Sequence, residues 1–246
     1  MEFRLDTSHD ASALAEEFAR DGRVRIMDFL RHEDAKALLA ELHTLPWNLV
    51  YRKGGKVIEI TPSELQKLTP QDAAAIRQTV DQGAREGFQF LYNNYPLMRE
   101  YFTPGRRERD VFRAYEMLNS PQVLELLRAV TGMPDVRWLD AHGSLYQANQ
   151  FLKYHTDESA EEPRLAAYVL SLTEDWDLDW GGLLQFWTDD NDVECALRPR
   201  FNAMNVFAVP RRHSVSQVAS YAPPRRFAVT GWLRADEPPA AIPWSS

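Results

Sequence analysis

Two imidazoles and one carboxylate stand where they could share an ion. Tyr154-His155-Thr156-Asp157 closes the run NQFLKYHT, whose composition predicts a strand. Side chains at i and i+2 of a strand lie on one face, so His155 and Asp157 can converge. A third ligand has to come from elsewhere, and His213 fits, between the apolar run NVFAVP and the alternating SVSQV. Two imidazoles and a carboxylate on one side of an ion, with the other side open, suit a non-haem Fe(II) centre that activates O2. A zinc hydrolase with the same donors is the competing chemistry, and it would need an additional positioned base. His9, His32 and His43 sit in or beside expected helices and read as surface or hydrogen-bonded residues. His142 lies on an expected strand near the site and reads as structural.

The elements that must position these residues lie in a strand-rich second half. After Trp138 come short runs (RWLDAHGSLYQ, RLAAYVLSLT, GGLLQFWT, NAMNVFAVP, RRFAVTGWL) separated by Gly, Pro, Asn and Asp, a texture that predicts a β-sandwich or barrel. The first half reads mainly helical. It has helices over 12–20, 32–45 (ended by Pro46), 70 to about Tyr92, and 121–131 (closed by Gly132). A short strand over 24–30 and a hairpin around Gly54-Gly55 interrupt them. Helices first and strands second give an α+β class. No Gly/Ser/Pro-rich linker divides the halves, so one domain over 1–246 is expected, with a helical support region at 1–137 and a strand core at 138–236. The tail from Glu237 reads as irregular.

Composition removes several function classes. Acids outnumber Lys and Arg by 36 to 28, a net charge of −8, and no basic stripe suggests nucleic-acid binding. No run approaches the ~20 apolar residues of a membrane span. The opening MEFRLDTSHDASALAEEF carries acids and no apolar signal-peptide region. The single cysteine, Cys195, excludes an intrachain disulfide and a thiolate-rich zinc site, and fits a reducing, cytoplasmic location.

Arg226 follows His213 by thirteen residues and opens the run RFAVTGWL. A dicarboxylate chelating the iron needs a fixed cation at its far end, and arginine supplies a fork matched to carboxylate. The ordered set HTD, GGLLQFW, AMNVFAVPRRHSVSQV and RRFAVTGWL resembles the prolyl-hydroxylase-like 2-oxoglutarate/Fe(II) oxygenases, in particular the bacterial and fungal relatives of the hypoxia-sensing prolyl hydroxylases. The resemblance covers about Asp140 to Leu233, and more loosely the helical half.

That resemblance implies a double-stranded β-helix, or jelly roll, with supporting helices. It implies Fe(II) on His155, Asp157 and His213, 2-oxoglutarate and O2 as cosubstrates, and ascorbate as reductant. By position, Arg226 rather than Arg225 matches the arginine that binds the distal carboxylate, Tyr146 a cosubstrate-binding tyrosine, and Thr230 a hydroxyl near the pocket. The sequence departs from the family pattern in two places. Pro223-Pro224 lengthen the segment before Arg226, and Val169 stands where a second tyrosine is expected, with Tyr168 pointing to the opposite face.

The implied reaction hydroxylates an unactivated C–H bond, in a prolyl residue of a protein or peptide. A free amino acid or small metabolite is the alternative substrate, and an inactive barrel serving as a binding module is the alternative of another class. The segments 48–60 and 88–95 could wall a substrate groove, although Phe88 and Leu91 read as core packing. The acidic stretch DESAEE after His155-Thr156 could steer a basic substrate, although a solvated turn explains it as well.

Overall fold

The computed structural model describes residues 2–106, 108–222, 226–240 and 242. Helix α1 (Ala11–Asp21) starts at Asp10, whose side chain accepts from two backbone N–H groups, and ends at Gly22 in the left-handed conformation. Then come β1 (Arg23–Ile26), α2 (His32–Leu42), β2 (Asn48–Lys53), β3 (Lys56–Ile60), the single turn α3 (Pro62–Leu65), and α4 (Pro70–Glu86). Next are β4 (Phe90–Tyr95), α5 (Leu97–Tyr101), α6 (Asp110–Leu118), α7 (Pro121–Thr131) and the two-residue β5 (Trp138–Leu139). Helix α7 has the bounds expected from Ser120 at its N-cap, Pro121 in its first turn and Gly132 after its end.

The helix expected to reach Tyr92 stops at Glu86, and the next residues become β4. Strand identity there comes from partners distant in sequence: β4 pairs with β2 on one side and with β6 and β7 on the other. The strand expected over 24–30 ends at Ile26, because Asp28 turns the chain with a φ of 50°. The helix expected to reach Leu45 ends at Leu42.

The second half supplies β6 (His142–Tyr146), β7 (Phe151–His155), β8 (Arg164–Ser171), β9 (Leu184–Trp187), β10 (Val193–Leu197), β11 (Ala203–Ala208), β12 (His213–Val215) and β13 (Arg226–Arg234). These eight form two four-stranded antiparallel layers, ordered β11–β8–β13–β6 and β7–β12–β9–β10. That is the jelly-roll arrangement expected of the strand core. β4 joins the layers at one seam, β1 extends the first layer at its edge, and the β2–β3 hairpin pairs onto β4.

Alternation along β13 sorts the two sides of the first layer. Phe227, Val229 and Leu233 enter the main core, with Phe18, Leu38 and Leu42 of the N-terminal helices, Tyr115 and Leu118 of α6, and Leu127 of α7. Arg226 and Thr230 line the space between the layers instead. The helices brace the outer face of one sheet, leaving its inner face free to carry a site.

Candidate metal centre

The triad is assembled by one strand pairing and one turn. His213 opens β12 and is the cross-strand partner of His155, the last residue of β7. Direct antiparallel partners bring side chains together, and the two imidazole centroids lie 4.1 Å apart. Asp157 lies beyond the end of β7, in the left-handed region at φ 60°. A turn, rather than strand alternation, therefore brings its carboxylate back. Oδ1 stands 3.2 Å from His155 Nε2, and Oδ2 stands 3.3 Å from His213 Nε2. One ligand atom from each residue fits within 4.8 Å of the others.

Both rings are oriented from behind. His155 Nδ1 lies 2.9 Å from the Lys153 carbonyl, and His213 Nδ1 lies 2.8 Å from the Arg211 carbonyl. With each Nδ1 set against a backbone carbonyl, each Nε2 is aimed at the shared centre, as in sites where an outer acceptor orients a metal-binding histidine. Burial alone would push the Asp157 carboxyl up; the two imidazoles outweigh it and hold the group well below the ordinary carboxylate range. Two imidazole Nε2 atoms converging with an ionised carboxylate make a cation receptor, the ion taking the place of the Nε2–carboxylate hydrogen bonds.

The triad opens into a cavity of about 530 Å³, within the range of small-molecule sites. Arg226 lines the same cavity and is 3% exposed. Its side chain makes no hydrogen bond or ion pair with any described residue, and its Nε is sealed from solvent without a partner. Its guanidinium lies 4.9 Å from the centroid of the Tyr146 ring, its cross-strand partner. Burial pushes this guanidinium down from its ordinary value. Arg225, Pro223 and Pro224 lie outside the described residues.

The other expected residues reach the cavity too. Tyr146 is buried and stacks on Tyr92, with centroids 5.2 Å apart and planes at 17°. The Thr230 hydroxyl lies 2.9 Å from His142 Nε2, so His142, read as structural, is a cavity residue. Burial brings the His142 imidazole down to about 4, against the pull of Asp157. Phe88, read as core packing, is 39% exposed and lines the cavity with its ring 5.3 Å from that of His155. Tyr168 points away as expected, its hydroxyl donating to the Asp140 carbonyl at 2.8 Å. In the acidic stretch, Glu162 is committed to Arg164 and Arg234, whereas Glu158 lines the cavity. Tyr92 lies in the segment 88–95 expected as a possible groove wall but was not singled out there, although the alternation of Phe88, Phe90 and Tyr92 carried the signal.

Residues 141–234 match the family model described as the 2OG-Fe(II) oxygenase superfamily. Over these residues, the strand core that carries the triad, the chain is similar to that superfamily. Fe(II), 2-oxoglutarate and O2 are the cofactors and cosubstrates of this superfamily, and His155, Asp157 and His213 are the candidate iron ligands of this oxygenase core. No curated protein sequence matches the chain. Among solved structures, a Pseudomonas putida prolyl-4-hydroxylase is 19% identical with a TM-score of 0.58, over 92% of this chain and 100% of that one. A Trichoplax adhaerens prolyl hydroxylase, solved with a hypoxia inducible factor oxygen degradation domain peptide fragment, is 14% identical with a TM-score of 0.55, over 92% and 89%. The epimerase SnoN of nogalamycin biosynthesis, described as non-heme and alpha ketoglutarate dependent, is 12% identical with a TM-score of 0.53, over 90% and 80%. At these identities the likenesses establish the fold alone, one shared by proteins described as prolyl hydroxylases and as an epimerase.

Proposed function

We propose that this chain is an Fe(II)- and 2-oxoglutarate-dependent dioxygenase that hydroxylates a prolyl residue in a protein or peptide. The carrying observation is a single cavity that holds a cation receptor and, unpaired and buried, the Arg226 guanidinium. A buried cation is disfavoured unless something neutralises it, and a carboxylate of the cosubstrate would do so. An inactive binding barrel has no use for both features. The main core mixes side chains from both halves, which supports one working unit over 1–246.

In this reading His155, Asp157 and His213 hold the iron, with the Lys153 and Arg211 carbonyls setting ring orientation. Bound iron with 2-oxoglutarate supplies the oxidising power that O2 alone lacks at a C–H bond. Arg226 binds the distal carboxylate through its fork, and Tyr146 supports the guanidinium from its ring face. Thr230 stands four residues along β13 from Arg226, roughly 13 Å at strand rise. Together with His142 it bounds the chamber farther from the arginine. Leu152, Leu184 and Val215 line the cavity and limit water.

The prolyl substrate draws support from the two prolyl hydroxylases of similar fold, one of them holding a peptide. It also draws support from exposed apolar side chains beside the cavity, Val57 at 63% and Phe88. Incubation of the iron-loaded enzyme with 2-oxoglutarate and either proline-containing peptides or free L-proline tests it, with mass spectrometry reading a gain of one oxygen. Oxygen gained by peptides alone supports the assignment. Oxygen gained only by the free amino acid overturns the peptide substrate and leaves the oxygenase chemistry intact.

A further inference from the structure

The Asp157 carboxylate reaches the triad from a backbone at φ 60°, a conformation that L residues hold only where their surroundings fix it. Two hydrogen bonds set the peptides on either side. The Thr156 carbonyl accepts from the Arg211 N–H at 3.3 Å, tying the turn to the segment before His213. The Asp157 carbonyl accepts from Arg164 Nη1 at 3.2 Å. The first bond is backbone to backbone; the second depends on one side chain seven residues away.

That side chain is itself held on several sides. Arg164 opens β8, and its cross-strand partner on β13 is Arg234. Like charges set opposite one another repel, and the Glu162 carboxylate stands between these two. It accepts from Arg164 Nε at 2.9 Å and from Nη2, and lies 3.6 Å from Arg234 Nη1. Arg234 is anchored by the buried Asp140 at 3.1 Å and by Asp236 at 2.7 Å. Asp140 also accepts the Trp232 N–H at 2.7 Å. The Trp232 ring completes the circuit, with the Arg164 guanidinium 3.6 Å from its centroid. Arg164, Glu162, Arg234, Asp140 and Trp232 thus form a closed ring of contacts, joined to the ligand turn by the bond to the Asp157 carbonyl. Arginine suits the position because its flat face stacks while its edge serves a carboxylate and a carbonyl together.

We infer that Arg164 is a positioning residue for the metal centre. It fixes the peptide that follows Asp157 and so sets the direction of the metal-binding carboxylate, with Glu162 as its counter-charge. This rests on the reading of the triad as an iron site given under Proposed function. The last acid of the stretch DESAEE thereby serves the iron through Arg164.

The test is Arg164→Gln, with Arg164→Lys as the second variant should the first fail to fold. Co(II) replaces iron, because its visible bands report the geometry of its ligands. Titration well below the melting temperature gives Kd for Co(II), and melting of the metal-free proteins reads stability separately. Groups that orient a metal ligand from behind are worth about 10–100-fold in metal affinity. Arg164→Gln is expected to raise Kd by about that factor and to shift the bands. Arg164→Lys, which keeps the charge without the flat stack and the fork, is expected to change both in the same direction. A Kd within about twofold of wild type with unshifted bands overturns the inference, even if the metal-free variant melts lower, since Arg164 would then brace only the fold. That result leaves the metal site standing. If wild type itself binds no Co(II), the reading of the triad fails and this inference falls with it.

Discussion

Replacing Arg226 with methionine is expected to stabilise the ligand-free protein while destroying its response to 2-oxoglutarate. The side chain is 3% exposed and meets no acid among the described residues. After relaxation, a buried ion still carries a penalty of several kcal/mol. The face of Tyr146, 4.9 Å away, returns about 1 kcal/mol as a cation–π contact. Methionine of similar length removes the charge and keeps most of the packing. The net expectation is a gain of about 2 kcal/mol, or a rise of about 4–8 °C in Tm for a chain of this size. Thermal denaturation with Mn(II) in place of iron, with and without 2-oxoglutarate, reads both effects. Wild type should gain about 2.7 kcal/mol at a hundredfold excess over Kd, and Arg226→Met should gain nothing. A variant that melts several degrees below wild type would refute the reasoning, since Arg226 would then be holding the fold together.

Two further outcomes follow from the cavity wall. His142 is held down to about 4 by burial, so the unfolded chain takes up a proton below about 6.5 that the folded state refuses. Its contribution to stability is complete above that pH and is lost as pH falls toward 4. Allowing for a ring partly open to the cavity, the loss is about 1–2 kcal/mol between pH 6.5 and 5. His142→Gln should therefore lose less Tm than wild type between pH 7 and 5, and an equal loss in both refutes the assignment. Gly231→Ala would place a Cβ 2.2 Å from the Asp140 carbonyl oxygen, forcing β13 away from that segment. A drop of about 2 kcal/mol is expected, read as a fall of about 4–8 °C in Tm; unchanged melting would show that the wall yields freely.

The parts of this molecule that local rules determine were legible in its sequence. Helix α7 announces itself through Ser120, Pro121 and Gly132, and the β2–β3 hairpin through Gly54-Gly55. His155 and Asp157 were legible as candidate ligands, but the reason was incomplete, because the left-handed backbone at Asp157 brings its carboxylate back where strand alternation was expected to. His213 could be chosen only by its surroundings, whereas the structure pairs it directly with His155. Residues 87–92 were misread because a helix pattern runs smoothly into them from α4. Only the ladder with β2, β6 and β7, each distant in sequence, makes them a strand. The same error hid Tyr92 and set Phe88 in the core. His142 was read as structural because nothing local distinguishes an imidazole facing a cavity from one facing a core.

One cavity is proposed to bind Fe(II) through His155, Asp157 and His213 and 2-oxoglutarate through Arg226. The most direct measurement is the anaerobic visible spectrum of the protein with Fe(II) and 2-oxoglutarate, in wild type, Asp157→Ala and Arg226→Met. Wild type is predicted to show a weak charge-transfer band absent from the apoprotein. Asp157→Ala should lose it, and Arg226→Met should need far more cosubstrate to produce it. A wild-type protein that binds neither iron nor 2-oxoglutarate would contradict the claim.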